Sequence, residues 1–73
     1  MDKRERDIAK LMKLLSHWAE HNESHKEAYL KWMNIAKNYG LNEIVEKIDK
    51  AISMMDKSTE FLLEAEKILR NLE

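Results

Sequence analysis

Apolar residues recur at helical spacing on both sides of Gly40, the only glycine of the chain. The stripe before Gly40 contains Ile8, Leu11, Leu15, Trp18, Tyr29, Trp32 and Ala36. The stripe after it contains Leu41, Ile44, Ile48, Ala51, Met55, Leu62, Ala65, Leu69 and Leu72. A period of about 3.5 to 3.6 residues persists through both halves, without the sustained alternation that is typical of strands. The pattern predicts an all-α protein.

Gly40 marks the turn between the two halves. A residue without Cβ readily adopts the left-handed conformation that ends many helices, and Asn42 suits the N-cap of the helix that follows. A turn this short requires the two helices to run antiparallel. We therefore expect a helical hairpin with helices at about 3–39 and 42–72, which together form a single domain over residues 1–73.

A polar segment at residues 21–24 interrupts the first stripe and leaves an alternative open. Ser24 and Glu27 have the spacing of a capping box, which favours a helix start at that point. A break near residues 22–24 would give a three-helix bundle instead of a hairpin. Because the heptad continues in phase from Trp18 to Tyr29, we favour the continuous first helix.

Both stripes are wider than the seam of a two-helix coiled coil, so a lone hairpin would leave apolar surface in water. A chain of 73 residues also has only a small core, and the absence of cysteine excludes disulfides as a source of stability. Pairing two hairpins into a four-helix bundle would bury the remaining stripe. The sequence therefore predicts a homodimer.

Charge and composition narrow the function classes. Charged residues make up 37% of the chain, but the two signs are mixed and the net charge is −1. No basic block indicates a nucleic-acid interface, and no apolar run approaches the ~20 residues that span a bilayer. The charged N-terminus lacks the apolar region of a signal peptide. We expect a cytoplasmic protein without nucleic-acid or membrane partners.

The candidate chemistry lies in the three histidines, His17, His21 and His25, which are spaced four residues apart. Imidazole is the commonest protein ligand of transition metals. His17 and His25 are separated by about 12 Å of helix rise, so all three cannot bind one ion. We predict that His21 and His25 point inward and bind a divalent transition metal (nickel, zinc, copper or cobalt), with His17 as an outlying member. No organic cofactor is predicted.

The antiparallel hairpin also predicts what faces the histidines. With the turn at Gly40, residue 22 lies near residue 58 and residue 25 near residue 55. The polar interruption of the first helix therefore meets Ser58 and Thr59 in one layer. The ligand set would be completed by the partner subunit or by groups on the facing helix, for which the candidates are Asp56, Glu60, Met55 and Thr59.

A second interpretation needs no metal. A polar layer can fix the register and the oligomeric state of a helical bundle, as a buried asparagine does in coiled coils, and Asn22 suits that role. The protein would then be a structural or protein-interaction module. We do not expect an enzyme, because the sequence locates no nucleophile–base pair, no phosphate-binding glycine loop and no paired-carboxylate pocket.

The run from His17 to His25, followed by Tyr29, Trp32 and Gly40-Leu41, resembles an uncharacterised small helical domain with the pattern HWxxHNxxH. That domain occurs alone or joined to nickel-accessory proteins of the carbon monoxide dehydrogenase type. The likeness covers the chain from about Leu15 onward and implies a second long helix after the turn. It also implies nickel as the first ion to test and a metalloprotein as a possible partner.

Overall fold

The computed structural model describes residues 2–72 and contains two helices, α1 (Lys3–Asn38) and α2 (Asn42–Leu72). They pack against each other as a hairpin with extents of 56 × 15 × 12 Å. No strand occurs in the described residues, so the all-α prediction and the helical hairpin are confirmed. The three-helix alternative is wrong, because α1 runs without a break through residues 22–24.

Capping contacts fix the start of α1. Asp2 is the N-cap, and its side-chain oxygen accepts a hydrogen bond of 2.8 Å from the backbone N–H of Glu5. This bond satisfies one of the orphan donors that begin every helix. The Nζ atom of Lys3 lies 3.0 Å from Oδ2 of Asp7 one turn later. The helix therefore begins at Lys3, the start that was predicted from the sequence.

The turn has the geometry expected of a glycine-terminated helix. Gly40 has a φ of 72°, and the N–H of Leu41 donates to the carbonyl of Ala36 at 3.0 Å. The N–H of Gly40 donates to the carbonyl of Lys37, also at 3.0 Å, which completes a Schellman motif. Asn42 differs from its prediction: it is the first residue of α2 rather than its N-cap.

The two helices meet along a strict heptad, which we call the central seam. Its members are all buried or half-buried, in alternating steps of three and four residues. In α1 they are Ile8, Met12, Leu15, Ala19, Asn22, Lys26, Tyr29, Met33 and Ala36. In α2 they are Val45, Ile48, Ile52, Met55, Thr59, Leu62, Glu66 and Leu69.

The central seam corrects the predicted core of α1. The prediction placed Leu11, Trp18 and Trp32 in the seam, but each of them is exposed. Their next neighbours along the chain, Met12, Ala19 and Met33, lie between the helices instead. Helices pack at about 8 to 10 Å, a distance that a small alanine or a flexible methionine allows more readily than an indole ring.

The core of the isolated hairpin is thin. Only Leu15, Ala19, Ala36, Ile52 and Thr59 count as buried among the described residues, and no side chain is fully buried. The hydroxyl of Thr59 lies in this core without a hydrogen-bond partner. Few apolar side chains are therefore buried between the two helices.

Within residues 2–72, neither helix combines the length and the apolarity that crossing a membrane requires.

Candidate histidine site and open apolar face

A second apolar stripe covers one side of the hairpin, and we call it the open face. Among the described residues, twelve large apolar side chains are exposed, and nine of these belong to the open face. The nine are Leu11, Trp18, Trp32, Tyr39, Ile44, Met54, Phe61, Ile68 and Leu72. Leu30, Leu41 and Leu63 are the three that lie elsewhere.

Both helices contribute to the same side. On each helix the open face follows its own steps of three and four residues, about 100° around the axis from the central seam. Because the helices run antiparallel, these two stripes turn toward one side of the hairpin. A shallow depression lined by Leu11 of α1 together with Ala65, Ile68 and Leu72 of α2 joins them near the open end.

His21 and His25 lie in the middle of the open face. They continue the stripe of α1 between Trp18 and Trp32, and both are exposed, as is His17. The prediction that His21 and His25 point inward, toward α2, is therefore wrong. The position that His25 was expected to take in the central seam is occupied by Lys26. The orientation of α1 about its own axis differs from the predicted one, and this difference places both Trp18 and the histidines outside the central seam.

The three rings form a close pair with an outlying third. The ring centroids of His21 and His25 are 4.4 Å apart and their planes are tilted by 49°. The ring of His17 stacks on His21 at the longer distance of 5.9 Å. His21 and His25 are therefore the closer of the two neighbouring pairs, and His17 lies beside them.

Asn22 and Ser58 link the helices at the level of the histidines. The side-chain amide of Asn22 donates to Oγ of Ser58 at 3.2 Å. Residue 22 therefore lies opposite residue 58, as the turn position predicts. Thr59 is buried beside this bond in the central seam. The hairpin therefore has a polar layer at this level. Asn22 and Thr59 of this layer lie in the central seam, whereas His21 and His25 lie on the open face.

Asp56, one of the two acidic candidates on the facing helix, has another partner. Oδ1 of Asp56 lies 2.9 Å from Nζ of Lys26, whose side chain is 29% exposed. The hydrogen bond from Lys26 to Asp56, and then the charge of that carboxylate, raise the pKa of Lys26 above its ordinary value of 10.5. Asp56 neutralises a lysine at the edge of the seam, so its carboxylate is engaged away from the histidines.

The histidine pair does not belong to a larger cluster of metal-binding side chains in the described residues. Within residues 2–72, no group of three or more histidine, cysteine, aspartate or glutamate side chains is arranged to hold a metal ion. A histidine pair alone leaves two positions of a four-coordinate ion open. A four-coordinate site built on this pair would add two further ligands.

The prediction from sequence missed two features, the second apolar stripe of α1 and the ion pair of Lys26 and Asp56. Residues 11, 14, 18, 21, 25, 28, 32 and 35 also follow steps of three and four, which marks an independent stripe beside the central seam. The ion pair of Lys26 and Asp56 has a weaker signal, since it requires the register of the hairpin to be known. The two overlapping heptads of α1 are visible in the sequence and indicate the open-face stripe.

Comparison with known families shows the family to which the chain belongs. A family model described as Domain of unknown function (DUF8180) matches residues 11–69, so the chain belongs to this family. The match covers most of both helices, the turn at Gly40 and all three histidines. No curated protein matches the chain. No solved structure matches it either.

Proposed function

We propose that the protein is a helical assembly module whose open face binds the open face of a second copy, giving a four-helix bundle. The observation that carries this proposal is the concentration of nine exposed large apolar side chains on one side of the hairpin. Extended apolar patches on small soluble domains mark interaction surfaces more often than they arise by chance. The central seam cannot cover them, because it lies on a different side of each helix.

The surface area favours a second copy as the occupant. A folded monomer of 8.7 kDa is expected to expose about 4,700 Å². The hairpin exposes 5908 Å², an excess of about 1,200 Å². Stable interfaces bury roughly 800 Å² on each partner. The excess is therefore of the size that one interface would remove, and a net charge of −1 opposes self-association only weakly.

Measurement of the solution mass tests this function. Size-exclusion chromatography with light scattering, on protein kept in EDTA at micromolar concentration, should give the mass of a dimer or of a higher oligomer built on it. EDTA matters because it separates apolar association from any association through metal. A monomer under these conditions would contradict the assembly module.

We propose metal binding as a second function of the same surface. His21 and His25 would bind a divalent transition metal (nickel, zinc, copper or cobalt), in a storage, delivery or accessory role. Support comes from the ring centroids, which lie 4.4 Å apart on an exposed surface where an ion can enter. Nickel is the ion implied by the resemblance of the HWxxHNxxH run, and a metalloprotein partner follows from the same resemblance.

Calorimetric titration of each ion into apo-protein tests the second function. We expect binding tighter than ~10 μM for at least one ion. The variant His21→Ala/His25→Ala should lose this binding. His17→Ala is the matched control and should keep it, because its ring lies outside the close pair.

A further inference from the structure

We infer that two copies stack antiparallel about a two-fold axis that passes between His21 and His25, so that four imidazoles from two chains form one metal site. This inference rests on the proposed dimer. It specifies how the two copies are arranged and which kind of ion they bind. It differs from a site within one chain because the described residues of one hairpin contain no group of three or more histidine, cysteine, aspartate or glutamate side chains arranged to hold an ion. The ligand class is a borderline divalent ion that accepts four nitrogen donors, such as Zn²⁺.

The position of the histidines on the open face supports this axis. Leu11 and Ile35 lie equally far from the point midway between His21 and His25, near the two ends of the α1 stripe. A two-fold axis at this midpoint lets both stripes overlap along nearly their whole length. In an isologous contact of this kind, each residue lies opposite the partner residue that is equally far from the axis on its other side. His21 then faces His25 of the partner subunit.

Side-chain sizes agree with the same axis. On α1, the pairing sets Trp18 against the small Ala28 of the partner subunit. On α2, Phe61 meets Ala51 of the partner subunit in the same way, when the axis passes level with residue 56. Large side chains opposite small ones let facing layers interdigitate without voids. These two large–small pairs are compatible with this arrangement, which also sets Trp32 against Leu14 of the partner subunit.

The two midpoints also coincide within the hairpin. The hydrogen bond between Asn22 and Ser58 sets residue 22 level with residue 58, so residue 56 of α2 is level with residue 24 of α1. The midpoint of the α1 stripe lies at residue 23, one residue away, which is about 1.5 Å of helix rise. A single axis can therefore serve both helices, as a rigid hairpin requires.

A neighbouring register is less favourable. Moving the axis of α1 to the point midway between His25 and Ala28 keeps the heptad spacing, but it sets His21 against Trp32 of the partner subunit. Each imidazole would then be buried against apolar side chains without a polar partner, which costs free energy. The axis between His21 and His25 instead collects all four imidazoles in one polar layer.

The ring geometry fits ligation. Two nitrogens bound to one tetrahedral zinc at ~2.0–2.1 Å lie roughly 3.4 Å from each other. Rings with centroids 4.4 Å apart reach that separation through small side-chain rotations. One ion then holds His21 and His25 of one copy together with His21 and His25 of the partner subunit, which completes a set that a single chain lacks.

The first test is stoichiometry, measured by titrating Zn²⁺ and Ni²⁺ into full-length apo-protein and by native mass spectrometry. We expect one ion per two chains and at least a tenfold loss of affinity in His21→Ala/His25→Ala, with no loss in His17→Ala. One ion per chain, or no binding by a dimer that forms in EDTA, would overturn the shared site and leave the assembly module standing. A monomer in EDTA that dimerises on adding Zn²⁺ would overturn only apolar assembly.

The second test is the orientation of the copies. Because the chain has no cysteine, Lys10→Cys provides a unique and exposed attachment point for a spin label. The antiparallel stack separates the two labels by roughly 40 Å along α1. A parallel stack, with its axis along the hairpin, brings them within about 25 Å across the bundle. A short distance from double electron–electron resonance would overturn the proposed axis.

Discussion

Nδ2 of Asn22 donates a hydrogen bond to Oγ of Ser58 at 3.2 Å and joins the two helices at mid-length. The two residues are 36 positions apart in the chain, so this bond records the register of the hairpin. It also lies at the level of His21 and His25. The contact therefore relates the packing of the central seam to the position of the histidine pair on the open face.

The contribution of this bond is measurable with a double-mutant cycle on Asn22→Ala and Ser58→Ala. We expect each single variant to lower the free energy of unfolding by about 0.5–1.5 kcal/mol, as is typical for a neutral hydrogen bond. The double variant should lose less than the sum, because the second substitution removes a group that has already lost its partner. Urea denaturation gives the energies, and strict additivity would show that the bond contributes nothing.

Thr59 offers the opposite change. Its hydroxyl is buried in the central seam without a hydrogen-bond partner. Thr59→Val keeps the shape and removes the unsatisfied group, so we expect the free energy of unfolding to rise by about 1 kcal/mol or more. Thr59→Ser is the control, since it keeps the hydroxyl and removes a methyl group, and it should destabilise the protein. Thermal denaturation of both variants would contradict this account if their order were reversed.

How far the sequence specifies this fold depends on which residues are considered. Gly40 and the unbroken heptad from Trp18 to Tyr29 predicted the two helices, the turn and the pairing of residue 22 with residue 58. The rotation of α1 could not be predicted from period alone, because its two stripes share one spacing and run side by side. Hydrophobicity favoured Trp18 over Ala19 for the seam, whereas the short distance between packed helices favours the smaller residue.

The histidine site was also predicted only in part. The equal spacing of His17, His21 and His25 shows that three imidazoles cannot bind one ion, but it does not distinguish the two neighbouring pairs. In the structure the ring centroids of His21 and His25 are 4.4 Å apart and those of His17 and His21 are 5.9 Å apart, and metal binding by the closer pair stays a prediction. The direction of the pair depended on the rotation of α1, so it was predicted wrongly. Asp56 could be placed at the right height, but its ion pair with Lys26 required the side-chain geometry.

Gly40 allows a prediction about the turn. Its φ of 72° lies in the left-handed region, and an added Cβ would meet nothing within 4 Å. Gly40→Ala should therefore destabilise the protein through backbone strain alone, by about 1–2 kcal/mol. Gly40→Asn should cost less, because asparagine tolerates this conformation better than alanine does. Equal urea midpoints for wild type and Gly40→Ala would show that alanine adopts the left-handed conformation at this position without strain.

The ion pair of Lys26 and Asp56 predicts a dependence on pH. Because the folded state raises the pKa of Lys26, the pair stabilises the protein at neutral pH, and this contribution is lost as the pH rises above the ordinary lysine value of 10.5. Asp56→Asn should therefore lower the urea midpoint at pH 7 and have a smaller effect in strongly alkaline solution. Asp49→Asn, a change of equal charge elsewhere on α2, is the control. A loss that stays constant across this range would exclude the ion pair as its cause.

Two exposed side chains on α2 separate the open face from the rest of the surface. Phe61 lies on the open face and is 67% exposed, whereas Leu63 lies off it and is 50% exposed. A carboxylate at either position is solvated in the monomer. In the proposed dimer, Phe61→Glu buries two charges near the two-fold axis, so we expect it to shift the protein to a monomer at micromolar concentration. Leu63→Glu should leave the dimer intact. Light scattering distinguishes the two variants, and dissociation by both or by neither would mean that the open face is not the surface on which the copies meet.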